Sequence, residues 1–250
     1  MSSNSLSGSG MVRAGVHAAV MMALLAACTG CAAPAGANPR DPLEAFNRGA
    51  FSFNEALDKA LLKPAATAYQ DVVPQLVRTG VSNFLGNLDD VWSFVNSALQ
   101  FKGPATAQNF MRFHVNTVFG LGGVFDVASD LRLERQREDF GQTLAVWGVP
   151  TGPYIVLPFF GPGILRDLVA WPVDMQGDLV SAIAHVPTRN TLKALDLLDV
   201  RSSLLGFGTA VDQVAFDKYT FTRDAFLQRR RNAVYDGNPP DEKEGDFKAP

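Results

Sequence analysis

FGQTLAVWGVPTGPYIVLPFFGPGIL, residues 140–165, is the stretch on which the reading of this chain turns. Its 26 residues include no Asp, Glu, Lys or Arg. As one helix it would rise ~39 Å, enough to cross a membrane. It also holds five Gly and four Pro, and each interior Pro costs a helix ~3 kcal/mol and each Gly ~1. A straight spanning helix is therefore excluded. Two arrangements remain. One is a hairpin or broken segment touching an apolar layer, with other parts of the protein satisfying its backbone. The other is a buried core loop. Trp147–Phe160 concentrates aromatic and breaker residues, so Trp147, Gly148, Gly152, Pro153, Ile155 and Phe159 are the candidate membrane-contacting hairpin.

On either side the pattern is helical. Asp41-Pro42-Leu43-Glu44 reads as a capping-box start, with Asp41 as N-cap and Pro42 as first helical residue. Phe46, Ala50, Phe53, Leu57 and Leu61 follow at helical spacing, and Pro64 ends that helix or starts the next. Val77, Val81, Phe84, Leu88, Trp92, Val95 and Leu99 make a second stripe. Pro104 opens a helix carrying Ala107, Met111 and Val118. Further helices are expected at roughly 164–185, 189–204 and 209–234, the last with Phe216, Tyr219, Phe226 and Val234 on its apolar side. No run alternates with period two for long, so little sheet is expected and the class is mainly α. The domain spans 41–235 with no internal repeat. Residues 236–250, with five acids, two Lys and three Pro, read as a disordered acidic tail.

The N-terminal region reads as an address. Residues 14–27 form an apolar run too short to span a bilayer but of signal-peptide length. The polar stretch ahead of Met11 is unusual for a signal, so Met1 and Met11 are both candidate starts. The run ends in Leu25-Ala26-Ala27-Cys28, which looks like a bacterial lipobox whose Cys thiol is acylated and becomes the mature N-terminus. Residues 1–27 are then a lipoprotein signal peptide, Cys28 the lipid anchor and 28–40 a Pro- and Gly-bearing tether. Cys31 is the rival anchor, with a poorer prefix. In the bacterial sorting pattern this resembles, Asp after the Cys retains a lipoprotein in the inner membrane, and Thr29 implies transfer to the outer one.

Composition removes several function classes. Twenty-two basic against 25 acidic residues give −3, so phosphate neutralisation of a nucleic acid is not expected. Two Cys build no disulfide scaffold and three His no His-rich metal site, and neither metal nor cofactor is expected. No Gly-x-Ser-x-Gly elbow, phosphate loop or His-Glu-x-x-His occurs. His17 leaves with the signal, His114 reads as a satisfied core residue and His185 as a helix-end cap. Asp89-Asp90 are adjacent on a helix and point apart. Asn47, Asn54, Asn83, Asn87, Asn96, Asn109 and Asn116 lie on or beside the apolar stripes. They read either as interhelical hydrogen-bonding amides or as a polar lining in an otherwise apolar channel. Arg229-Arg230-Arg231 suits the negative end of a helix dipole, with a headgroup patch as the alternative.

A second uncharged stretch, Phe113–Phe125, ends in Gly120-Leu121-Gly122-Gly123 and leads to Asp126. Gly permits positive φ and close backbone approach. Gly120, Gly122, Gly123, Phe125 and Asp126 are therefore candidates for the wall of a narrow channel. The alternative is a helix C-cap, with Asp126 starting the next helix.

Several motifs, in order, resemble one family. Asp41-Pro42-Leu43-Glu44-x-Phe46-Asn47-Arg48 after a lipobox and tether is similar to the start of the MlaA (VacJ) lipoproteins. The resemblance continues through Ser82-Asn83-Phe84-x-x-Asn87-Leu88, Arg112-Phe113-x-x-Asn116 and Gly120-x-Gly122-Gly123-x-x-Asp126. Phe140-Gly141-Gln142-Thr143-Leu144, Gly152-Pro153-Tyr154, Leu157-Pro158, Arg166-Asp167 and Arg223-Asp224-Ala225 complete it, covering about 41–231. It implies a ring-shaped helical domain embedded in the periplasmic leaflet of the outer membrane, with a central amphipathic channel. The implied activity is intermembrane phospholipid transport without catalysis. Phospholipids misplaced in the outer leaflet would be passed to a soluble periplasmic carrier of the MlaC kind, maintaining lipid asymmetry. A trimeric porin is an implied partner.

Two other classes stay open from the residues. One is a structural lipoprotein that scaffolds porins and moves no lipid. The other is a lipolytic enzyme, for which Ser93, Ser97 and Ser129 show no partner base.

Overall fold

The computed structural model describes residue 38 and residues 40–241. The signal peptide, Cys28, Cys31 and nearly all of the tether lie outside the described residues, as does the tail beyond Asp241.

The chain begins with helix α1 (Glu44–Leu57), a π-helical turn (Asp58–Leu62) and α2 (Lys63–Val72). The three run on without a break, because the residues at both junctions keep right-handed helical dihedrals. Pro64 lies in the first turn of α2. The wider π-helical turn, in which Lys63 N–H reaches back five residues to Asp58 O, makes room for its ring. Asp41 does not cap α1, contrary to expectation. The residue before α1 is Leu43, which makes no side-chain cap. The Asp41 carboxylate is instead buried, accepting from Asn47 Nδ2 at 2.8 Å, from Arg223 at 3.3 Å and from the Tyr219 hydroxyl. A buried carboxylate needs several donors, and these come from α1 and from the far end of the chain.

Helices α3 (Gln75–Leu99) and α4 (Gly103–Phe119) pack along each other across a short turn at 100–102. There follow α5 (Val127–Asp130), α6 (Phe140–Val146), strands β1 (Tyr154–Leu157) and β2 (Gly161–Ile164), and α7 (Leu165–Gly177). The chain ends in α8 (Val186–Ser203), α9 (Leu205–Val214) and α10 (Lys218–Val234). The expected helix over 209–234 is therefore two. Asp217 caps α10 through Tyr219 N–H at 3.1 Å, which leaves Phe216 in the break and fully exposed rather than on an apolar face. α6 packs on α7 and α10, α2 on α8, α8 on α3, and α1 on β1. A small apolar core of Ala50, Tyr154, Val156 and Tyr219, flanked by Phe51, Phe226 and Leu227, joins α1, β1 and α10.

Burial is inverted relative to the apolar stripes. In α3 the buried residues are Leu85, Gly86, Asn87, Asp90, Ser93, Asn96 and Ser97, a mainly polar face. None of the stripe Val77–Val81–Phe84–Leu88–Trp92–Val95–Leu99 is buried. In α4 the buried residues are Asn109, Arg112, Val115 and Asn116, while Met111 and Val118 face out. Among the described residues 18 polar or charged residues are buried against 11 apolar ones, and 34 large apolar side chains are exposed. Scattered exposed apolar residues are ordinary, but an apolar surface this extensive marks contact with something other than water. No helix among the described residues is long and apolar enough to cross a membrane.

The segment 140–165 breaks as its composition requires, and its strand pairing overlaps the C-terminal half of the expected hairpin Trp147–Phe160 and runs on to Ile164. Tyr154 pairs with Ile164 and Leu157 with Gly161, antiparallel, around a tip at 158–160. The outer edge of β1 is satisfied by two asparagines of α1. Asn47 takes Val156 N–H at 2.8 Å and donates to Tyr154 O at 3.0 Å. Asn54 takes Phe159 N–H at 2.7 Å and donates to Leu157 O at 2.9 Å. Two helical turns advance ~10.5 Å and three strand residues ~10 Å, so asparagines seven apart meet amides three apart. The hairpin thus shows no bare edge where Asn47 and Asn54 lie.

Candidate functional site

α3, the 137–142 segment, the hairpin, α7 and α10 surround a cavity of about 850 Å³. Its apolar wall is Leu88, Trp92, Leu157, Phe160, Leu168, Trp171 and Phe226. Its charged wall is Asp89, Arg137, Glu138, Asp139, Asp167, Asp174, Asp178, Arg229 and Arg230.

Most of those charges are already engaged in holding the wall together. Arg230 reaches Asp139 through two bonds of 2.5 and 2.7 Å and Asp167 at 2.5 Å. Burial opposes ionisation of Asp139, but Arg230 outweighs it and holds the carboxyl below its usual range. Gly141 lies against this junction, where a Cβ would come within 2.5 Å of Asp167 Oδ1 and 2.6 Å of Arg230, so only Gly lets α6 approach. Arg230 is thus a tie between α10, α6 and α7, rather than only a charge at a helix end. Asp174 accepts Trp92 Nε1–H and Phe140 N–H, both at 2.8 Å. Glu138 is bound by Gln100 and Lys102, both at 2.9 Å. Asp178 takes Val180 N–H at 2.8 Å and meets Lys193 at 3.4 Å.

Asp89, Arg137 and Arg229 are different. All three reach water, and among the described residues none makes a side-chain hydrogen bond or close ion pair. Asp89 sits on a concave wall where burial, followed by the charge of Asp196, pushes its carboxyl up to about 6. Its neighbour Asp90 points away, to Arg135 at 2.9 Å and Arg112 at 3.5 Å. The sequence spacing separated these two carboxylates, but it did not show which would face a cavity. Arg137 was not singled out, and Arg229 was hidden in a run read as a helix end.

The residues around Gly120–Asp126 are not among those lining this cavity. They form the turn from α4 to α5. Gly120 N–H bonds Asn116 O at 3.0 Å, and Asp126 caps α5 through Ser129 N–H. Leu121, Gly122 and Gly123 all have positive φ (52°, 73° and 98°). Gly123 presses on the Asn87 side chain, whereas Gly122 faces open space and Phe125 is half exposed. Asp126 is paired with Arg112 at 2.8 and 2.9 Å and with Asn116 at 2.9 Å. Burial opposes its ionisation, but Ser129, Asn116 and Arg112 together hold it down at about 2. An Asp lowered from 3.8 contributes stability fully above that value and loses it as pH falls towards about 2. Pepsin should therefore cut within 120–126 increasingly as pH falls from about 4 to about 2. A cutting rate there that is flat across this range would contradict the anchor.

The hairpin candidates divide. Trp147 is half exposed, with its indole N–H on Leu99 O at 3.1 Å. Gly148 and Gly152 take positive φ in the connection before β1, where a Cβ on Gly152 would press Leu165. Pro153 O accepts Leu165 N–H at 3.1 Å, and Ile155 pairs with Gly163. Phe159 sits at the tip with φ 70°, 70% exposed and edge-on to Phe53. Four of the seven asparagines, Asn87, Asn96, Asn109 and Asn116, are interhelical ties as in the first reading, while Asn47 and Asn54 hold the hairpin and Asn83 the turn at Val124. Asn109 bonds Ser97 and Gln136 O, Asn96 accepts from Thr143, and Asn116 joins α4 to Asp126 and Ala128 N–H. None of the seven is among the cavity-lining residues. His114 is exposed, not a core residue, with Nδ1 2.8 Å from Phe110 O. His185 caps α8. Ser93, Ser97 and Ser129 spend their hydroxyls on Glu138 N–H, Ser93 O and Asp126 respectively. Among the described residues no three His, Cys, Asp or Glu side chains group as metal ligands.

The family model described as MlaA lipoprotein matches residues 39–233. The intermembrane phospholipid transport system lipoprotein MlaA of Escherichia coli is 38% identical over 193 residues, 76% of each chain. The protein of that name from Haemophilus influenzae is 34% identical over 242 residues, covering 90% of this chain and 94% of its own. A solved structure concerned with maintenance of bacterial outer membrane lipid asymmetry superposes with a TM-score of 0.69 at 34% identity, covering 79% of this chain and 99% of that one. A mainly helical fold is thus shared with the solved structure, and the chain belongs to the MlaA lipoprotein family.

Proposed function

We infer that this lipoprotein works in intermembrane phospholipid transport at the outer membrane. In this role it removes phospholipids from the outer leaflet and so maintains lipid asymmetry. The observation that carries the reading is the inversion of burial, with polar seams inside and 34 large apolar side chains outside. Such a body fits a hydrocarbon environment, and with no helix among the described residues both long and apolar enough to span, it fits one leaflet. A ring seated in the periplasmic leaflet, with the 850 Å³ cavity as its channel, is the arrangement these facts support. An apolar wall would accept acyl chains, whose exposure to water costs ~0.8 kcal/mol per CH₂, and the charged wall a headgroup. The exposed Trp147, Phe159 and Phe160 would face lipid near the channel mouth. A trimeric porin beside the ring and a soluble periplasmic carrier below it are the partners this route requires.

The test is the phospholipid content of the outer leaflet in a strain lacking the protein, expected to rise and to return to normal on complementation. Unchanged outer-leaflet phospholipid would leave the porin-scaffold alternative. Anchoring is checked separately. Cys28→Ala should give an unlipidated, mislocalised protein, while Cys31→Ala should not, and mass spectrometry that finds the acyl chains on Cys31 would reverse the assignment.

A further inference from the structure

We propose that the cavity reads a zwitterionic, primary-amine phospholipid headgroup, with Arg137 and Arg229 taking the phosphodiester and Asp89 the ammonium. The proposal rests on the transport reading above and names the lipid class for that same cavity. It follows from the count of uncommitted charges. Nine charged residues ring the cavity. Glu138, Asp139, Asp167, Asp174, Asp178 and Arg230 are bound to Gln100, Lys102, Trp92, Lys193, backbone amides or one another. Two guanidiniums and one carboxylate remain without side-chain hydrogen bonds or close ion pairs among the described residues, Arg137 acting on Asp89 only through its charge, beside an apolar wall of Leu88, Trp92, Phe160 and Trp171.

A wall of this kind has one complement. Two guanidiniums present planar donor forks suited to a phosphodiester. The carboxylate offers acceptors only, so it needs a donor cation. Asp89 also stands in the field of Asp196 and Asp178, with Arg137 partly compensating, and that field attracts a second positive charge. An anionic glycerol headgroup would satisfy the arginines and leave Asp89 unmatched. A choline headgroup would bring positive charge but no N–H. Ethanolamine brings one phosphodiester and one ammonium with three N–H donors, joined by two carbons.

The experiment uses the full mature protein, purified from detergent-solubilised membranes and equilibrated with mixed micelles of equimolar phosphatidylethanolamine and phosphatidylglycerol. Bound lipid is quantified by mass spectrometry. The ethanolamine lipid should be enriched roughly tenfold, the worth of a charge-assisted bond. Asp89→Asn should bring the ratio close to one. Arg137→Gln with Arg229→Gln should lower both lipids together. Circular dichroism checks that each variant keeps its helices; Asp89 makes no hydrogen bond whose loss would unfold it. O-phosphoethanolamine and inorganic phosphate, each added at millimolar level, should displace little lipid, which separates a lipid headgroup from a free phosphate as the ligand. If the wild type binds both lipids equally, or Asp89→Asn keeps the preference, the headgroup proposal is overturned while the transport reading stands. If no lipid is retained, both fall.

Discussion

Arg112→Leu should lower stability by about 3–5 kcal/mol, the range for stripping one partner from a buried ion pair. Arg112 is 1% exposed and ties four groups. It holds both Asp126 oxygens at 2.8 and 2.9 Å, Ser129 Oγ at 3.2 Å, Leu133 O, and Asp90 at 3.5 Å. Its loss leaves Asp126 with neutral partners only and Asp90 with Arg135 alone. For a domain of this size the thermal midpoint should fall by roughly 6–20 °C, read as loss of helical ellipticity in detergent. Arg112→Lys should recover little, because an ammonium cannot fork onto a carboxylate and reach Leu133 O as well. Adding Asp126→Asn to Arg112→Leu should restore part of the loss by removing the stranded anion. A midpoint unmoved by Arg112→Leu would mean that the buried network carries no net stability.

Phe159→Asp should weaken association with the bilayer by up to about 2.5–3.5 kcal/mol, the insertion cost of a charge at hydrocarbon depth. Phe159 stands at the hairpin tip, 70% exposed, and its backbone N–H is held by Asn54 at 2.7 Å, so the tip is rigid and cannot turn the charge aside. Ile155→Asp should disturb folding as well, because Ile155 is only half exposed within β1. Gln228→Asp, exposed among the charged residues of α10, is the control. Flotation with vesicles, using the Cys28→Ala protein so that the acyl anchor does not mask the effect, reads the difference. Equal flotation of the Phe159→Asp protein and the control would remove the hairpin from the membrane interface.

The difference between expectation and structure is clearest in α3. Periodicity placed Val77, Phe84, Leu88 and Trp92 on one face and Asn83, Asn87 and Asn96 on or beside it. The face was real, but its orientation was opposite to that of a water-soluble helix, with Asn87, Asp90 and Asn96 inside. A hydrophobic stripe reports that two faces differ and not which solvent each meets. The same holds for Asp41. Its place before Pro42 and three residues ahead of Glu44 has the form of a cap, yet it is claimed by Asn47, Tyr219 and Arg223, the last two almost the whole chain away.

What the sequence determined by itself is local or covalent in origin. The four Pro and five Gly of 140–165 forbid a spanning helix whatever surrounds them. Helical spacing made the class mainly α, the ordered motifs carried the family resemblance, and the near balance of charge excluded phosphate-driven nucleic-acid binding. What only the tertiary structure decided is which charges are spent and which are free. Asp89 and Asp90 are chemically identical neighbours, yet one lies between Arg112 and Arg135 while the other faces the cavity unpaired. Arg229 and Arg230 divide in the same way, one free and one tied to Asp139 and Asp167. Adjacent helical residues point about 100° apart, and what each then meets is supplied by α4, α6 and α7. Those segments lie far off in the chain, and no pattern around the residue itself encodes them.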